Sequence, residues 1–202
     1  MSGIKKLGVF PLGTVLFPSG SLPLRIFEPR YIDLLSSCLR NQESFVIAPL
    51  LTGSEVGNVQ TFSEFGTTAS IAEWDKSPDG LLHIVVTGGQ RCRLKDHERQ
   101  TDGLLLASVE LVVDSPSSMP NDYQHLADSL EFIFRSHPEL APAKPWHLTD
   151  ANWVSYRWAE RLPLTSQSRE QVLSADTAEE KLELINKNWT ALTRDSGGAT
   201  RH

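Results

Sequence analysis

The sequence predicts an α+β chain: a compact, mostly antiparallel sheet or barrel of short strands with one early helix, followed by a helical subdomain. Three observations carry this. Short apolar runs separated by Pro, Gly and Ser turn signals fill residues 7–114. Within them the residues Tyr31, Leu34, Leu35, Cys38 and Leu39 follow i, i+3, i+4, i+7, i+8, the spacing of one helix face. A composition break, SPSSMPN at 115–121, then separates the strand pattern from helical periodicity. The expected domains are 1–118, a β-barrel domain, and 119–194, a helical subdomain, with a disordered tail at 195–202.

The opening stretch, FPLGTVLFPSGSLPLRIFEPRY, is apolar yet holds Pro11, Pro18, Pro23 and Pro29. Proline fixes φ and removes a donor, so such a stretch is expected to be several short elements. LGVFPL is read as one strand, TVLF as a second, and SLPLRIF as a third. Pro23 suits only an edge strand. EPRYIDLLSSCLR is the helix, with Pro29 in its first turn and Glu28 against its positive end.

SFVIAPLL is expected as a buried strand and QTFSEFGTTASIAEW as a strand region with a bulge or bend at Gly66. SPDG, at 77–80, signals a hairpin leading into LLHIVVTG. Gly88 and Gly89 are expected to turn the chain into QRCRLKD, with Cys92 and Leu94 on one face and Arg91, Arg93 and Lys95 on the other. GLLLASVELVVD closes the strand region.

Helical spacing resumes at Leu126, Ala127, Leu130, Ile133 and Phe134, with Asn121 or Asp122 as cap. Pro138, Pro142 and Pro145 make a stiff loop. A second helix holds Trp153 and Tyr156, capped by Asp150, and ends at Leu162–Leu164. Ser168 with Gln171, and Thr177 with Glu180, fit the capping-box pattern. The last helix carries Leu182, Ile185, Trp189 and Leu192 on one face. Trp146, Trp153, Tyr156, Trp158 and Trp189 are expected to be mostly core.

The bulk composition excludes several classes. With 202 residues, 40% hydrophobic and 22% charged, the chain has an ordinary globular composition. A chain of this size buries about 70% of its unfolded surface, so no staple is required. A net charge of −6 disfavours nucleic acid as the main partner, because phosphate neutralisation drives that binding. Cys38 and Cys92 are too few for a disulfide framework and form no CxxC, so both are read as buried hydrophobes in a reducing compartment. Lys5 and Lys6 precede an uncharged run, as in a secretory signal, but Pro11 and Gly13 interrupt it and no small-residue cleavage site follows. The expected location is therefore cytoplasmic, with no membrane span.

Catalytic and metal motifs are missing from the sequence. It contains no G-x-x-x-x-G-K-[ST], no G-x-S-x-G and no H-E-x-x-H. Its six histidines never pair at metal-ligand spacing. His83 lies within an apolar strand and reads as a strand histidine. Arg91, Arg93 and Lys95, with Arg99, form a possible basic face, balanced by Asp96, Glu98 and Asp102. The expectation is no enzyme, no metal and no cofactor.

The segment FPLGTVLFPSGSLPLRIFEPRYIDLL resembles the opening of the Lon protease amino-terminal domain family. FGTTASIAEWDKSPDGLLHIVVTGGQRCRLKD looks like its central hairpin, and WAERLPLTSQSREQVLSADTAEEKLELINK is similar to its helical end. PSG at 18–20 and GTTASI at 66–71 depart from the family's PG and GTVARI. The resemblance implies a PUA-like pseudo-barrel beside a helical part. It also implies polypeptide recognition without the family's ATPase and protease domains. Partners would be polypeptide segments or unfolded proteins, with a separate protease or chaperone as a further candidate and oligomerisation left open. The binding surface would be an apolar groove or an open sheet edge. Its candidates are Phe17, Leu22, Leu24, Arg25, Arg30 and Phe65. The alternatives are an RNA-associated PUA-like module using Arg91, Arg93 and Lys95, or an enzyme whose site forms only in tertiary space.

Overall fold

The computed structural model of the chain describes residues 5–55, 59–78 and 81–198. It contains two compact units, Met1–Val113 and Asp114–His202. The first holds β1 (Lys5–Leu12), β2 (Ser21–Ile26), α1 (Pro29–Asn41), β3 (Phe45–Gly53), β4 (Val59–Phe62), β5 (Phe65–Lys76), β6 (Leu82–Arg99) and β7 (Leu105–Val112). The second holds α2 (Gln124–Ser136), α3 (Ala151–Arg161), α4 (Ser166–Ser174) and α5 (Ala178–Gly198), with two short 3-10 turns.

The strand pairings of the first unit close on themselves. β1 pairs with β7, β7 with β6, β6 with β5, β5 with β3, and β3 returns to β1. This five-strand circuit is the pseudo-barrel, and every pairing is antiparallel except β1 with β3. Closure removes free edges from those strands. One core group packs Phe10, Leu16, Ile26, Tyr31, Phe45 and Ile47, with the Phe10 and Tyr31 rings stacked at 3.9 Å. A second packs Val9, Val46, Cys92, Ala107 and Val109.

One expectation about the opening is corrected. TVLF is no strand: Val15, Leu16 and Phe17 are buried as irregular backbone. Their polar groups find other partners, because the Leu16 carbonyl accepts from Thr67 Oγ1 at 2.6 Å and the Phe17 carbonyl accepts from Gly20 N at 2.9 Å. Glu28 stands at the start of α1 as expected, at the N-cap position; it makes no side-chain cap bond and pairs with Arg30, at 2.7 Å.

Gly88 and Gly89 do not turn the chain. β6 runs unbroken through them for 18 residues. A Cβ at Gly88 would meet the Phe17 carbonyl oxygen, so glycine is needed there for close backbone approach, not for a turn. Gly66 likewise sits in register opposite Cys92; the irregularities fall between Thr67 and Ala69 and between Ile71 and Glu73. A Cβ at Gly66 would lie 2.9 Å from the Ile47 carbonyl oxygen. Of the SPDG hairpin signal, Asp79 and Gly80 lie outside the described residues; Ser77 N donates to Leu81 O at 2.9 Å.

In the helical unit, Asp150 caps α3 by accepting from Asn152 N at 3.0 Å. Thr177 and Glu180 form a reciprocal box: Thr177 Oγ1 accepts from Glu180 N at 3.2 Å, and Glu180 Oε2 accepts from Thr177 N at 3.1 Å. The cap expected at Ser168 falls three residues earlier, on Thr165, which accepts from Ser168 N at 3.1 Å. Neither Asn121 nor Asp122 caps α2, because both lie in a 3-10 turn that runs into it. The 115–119 segment pairs with the loop before α3, through Ala151 N to Ser117 O at 2.8 Å and Met119 N to Thr149 O at 3.0 Å. α5 continues to Gly198, so the first four residues expected as tail are helical, and 199–202 lie outside the described residues.

Candidate functional site

β6 is long enough to serve two sheets. Its second half completes the barrel with β7. Its first half, Leu82–Thr87, leaves the circuit and pairs with β2 on one side and the end of β5 on the other. The result is a three-stranded extension, β2–β6–β5. β2 pairs with β6 and with no other described strand, so it is an edge, as Pro23 requires.

The register assigns faces. Arg25, His83 and Asp75 are opposite one another across the three strands. Pro23, Val85 and Glu73 form the next row on that face. Leu24, Ile84 and Trp74 form the row between them, on the opposite face. Ile84 is buried in the core, Leu24 is half-buried, and Trp74 is 60% exposed.

Two concavities lie beside β2. The first, of about 490 Å³, is lined by Pro23, Arg25, Trp74, Asp75, His83 and Val85 among others. The second, of about 260 Å³, is lined by Phe10, Leu12, Leu24, Ile26, Phe27 and Tyr31, with Glu28 and Glu55. Pro23, Leu24 and Arg25 line both. Each also has an exposed aromatic residue, Trp74 in the first and Phe27, 55% exposed, in the second. Apolar surface rimmed by charge, on a strand with an open edge, is suited to holding another chain.

The expected site residues divide. Leu24 and Arg25 line these concavities. Leu22 is half-buried on the same strand and packs against the core. Phe17 is a correction: at 1% exposure it is a core side chain. Arg30 is a second, buried against the Tyr31 ring at 4.8 Å and donating to Gly103 O at 3.1 Å. Phe65 lies away from the extension, half-buried beneath the Arg93 guanidinium at 4.8 Å. The basic face is also corrected. Arg91 is 2% exposed and Lys95 is paired with Glu110 at 2.5 Å, so no continuous cationic stripe faces solvent. Trp74 and Phe27 were missed by sequence reasoning. Alternation from Ala69 and Ile71 assigns Trp74 to the other series, and the irregularity between Ile71 and Glu73 is what moves it into the row of Ile84.

A family model described as the ATP-dependent protease La (LON) substrate-binding domain matches residues 6–188. The chain belongs to this family. A Lon N-terminal domain protein from Xanthomonas campestris has a similar structure, with a TM-score of 0.77 and 30% identity over 91% of this chain and 98% of that one. The N-terminal domain of a Mycobacterium avium complex Lon protease shares the fold at 18% identity, with a TM-score of 0.68 over 93% and 98% of the two chains. Lon protease of Buchnera aphidicola is 25% identical over 89% of this chain. The chain spans about a quarter of the length of that curated relative, which it matches over 24%. The Lon resemblance of the proline-rich opening is thus established for the fold and the family. Among the described residues, no group of acidic, His or Cys side chains is placed to hold a metal, and no helix is long and apolar enough to cross a membrane.

Proposed function

We propose that this chain is a polypeptide-recognition module with no catalytic role of its own, binding extended or unfolded segments on the β2–β6–β5 extension. The observation that carries this reading is the pair of concavities beside β2, sharing Pro23, Leu24 and Arg25 and each lined in part by an exposed aromatic residue. Exposed aromatics in partly apolar clefts are the side chains that most often anchor a partner. The family description, a substrate-binding domain of an ATP-dependent protease, supports the same reading. The proposed setting is cytoplasmic, with a separate protease or chaperone as the receiving partner. A retention experiment tests it. Immobilised chain should hold unfolded test proteins in preference to their native forms, and Trp74→Ala with Phe27→Ala should reduce retention several-fold. Equal retention of folded and unfolded forms counts against it. Pure chain should leave casein intact with or without ATP.

A further inference from the structure

We propose that the larger concavity selects extended segments bearing one acidic and one basic side chain on the same face, about four residues apart, the acid over Arg25 and the base over Glu73 and Asp75. This rests on the polypeptide-recognition reading and specifies its client. The charges on this face are segregated. Arg25 is on β2, at one margin; Glu73 and Asp75 are on β5, at the other; His83 and Val85 of β6 lie between. Arg25, Glu73 and Asp75 are exposed. Elsewhere on the unit, Lys5, Lys6 and Lys95 each pair with a carboxylate. Among the described residues, Arg25, Glu73 and Asp75 form no ion pair.

The spacing sets the client's charge interval. Neighbouring strands are about 4.8 Å apart, so Arg25 and Asp75 are separated by about 10 Å across the sheet. An extended chain rises about 3.3 Å per residue and turns successive side chains to opposite faces, so an acid and a base share a face only at even intervals; four residues, about 13 Å, span the margins when the segment crosses the strands obliquely. Val85 between the charged margins, with Pro23 beside it on β2, suits an apolar side chain between the acid and the base. A segment with two like charges would meet repulsion at one margin, which is how charged surfaces reject wrong partners. A strand added along the free edge of β2 would differ. It would lie about 14 Å from Asp75 and select the acid alone.

The test uses labelled peptides of equal length and apolar content on the whole chain, read by fluorescence anisotropy. One carries Glu and Lys four residues apart, one two Glu and one two Lys at the same interval. The mixed peptide should bind about three- to tenfold more tightly, and the difference should shrink at high salt. Arg25→Glu should make the two-Lys peptide the tightest; Glu73→Lys with Asp75→Lys should make the two-Glu peptide the tightest. Equal binding of the mixed and two-Glu peptides overturns the proposal in favour of edge addition. Equal binding of all three overturns it while leaving polypeptide recognition standing. Failure of every peptide to bind overturns both.

Discussion

Cys92 lies at the centre of the second core group, wholly buried. Burial pushes its thiol from an ordinary 9.0 up to about 12, partly offset by a backbone hydrogen bond from Gly66. Between those values the unfolded chain has lost this proton and the folded chain keeps it. The native state then binds more protons, so stability is full below about pH 9 and falls as pH rises towards 12, by about 1.4 kcal/mol per pH unit for this group. Burial also raises Cys38 and Tyr31, and they act in the same direction. Urea unfolding at stepped alkaline pH should show this decline, with a shallower slope in Cys92→Ala. The folded chain should resist iodoacetamide at Cys92 until denatured. Lys181 is the other telling residue. It is fully buried, donating to Asp114 Oδ1 at 2.7 Å and Asn152 Oδ1 at 2.8 Å, over the Tyr156 ring at 5.0 Å. Tyr156 donates to the other Asp114 oxygen at 2.6 Å. Lys181→Ala should lower the stability of the helical unit by about 3 kcal/mol, read by thermal unfolding, because it leaves a half-buried carboxylate without its ion pair. The spacing around Lys181 gave no sign of burial, since a lysine in a charged helical run normally faces water.

Among the elements, β6 best separates what was legible from what was not. Its apolar alternation was legible; its continuity through Gly88 and Gly89 was not, because two glycines signal a turn equally well. Tertiary packing decides between the readings. The Phe17 carbonyl approaches Gly88 so closely that no side chain fits, and Gly88 N donates to Gly20 O while its own carbonyl accepts from Ser19 N, both at 2.8 Å. Gly88→Ala should therefore cost about 1–3 kcal/mol in denaturant unfolding, more than an exposed strand glycine would. If Gly88 lay in a solvent-exposed turn, the loss would be near zero. TVLF failed as a strand for a related reason. Apolar residues imply burial, but not the ladder that would make a strand of them, and Thr67 supplies the partner that lets this backbone stay irregular. The capping motifs fared better where they were reciprocal, as at Thr177 and Glu180, because both halves of the box satisfy local donors.

At the scale of the molecule, the first unit unites a closed circuit with an open extension. The circuit protects its edges, while the extension keeps an edge and two concavities. Recognition should consequently map to the extension. Trp74→Ala should weaken retention of unfolded proteins with no loss of thermal stability, since Trp74 is 60% exposed. A matched change at Phe132, 71% exposed on α2 of the other unit, should leave retention unchanged. Equal losses at both positions would show a diffuse apolar effect instead of a site. The candidate site was half legible: Leu24 and Arg25 stood out on a proline-marked edge strand, while Phe17 and Arg30 were apolar or cationic in the right stretch but face inward.

The amino-acid sequence by itself determined the class of fold, the order of most elements, the edge character of the Pro23 strand and the family. Each of these follows from local chemistry: side-chain periodicity, the donor that proline lacks, and a motif-bearing opening. Only the tertiary structure decided which apolar residues stay outside, which arginines are buried and where the charged margins of the concavity fall. Those depend on which strands leave the barrel and which residues meet across them, and such pairings join positions dozens of residues apart that no local pattern relates.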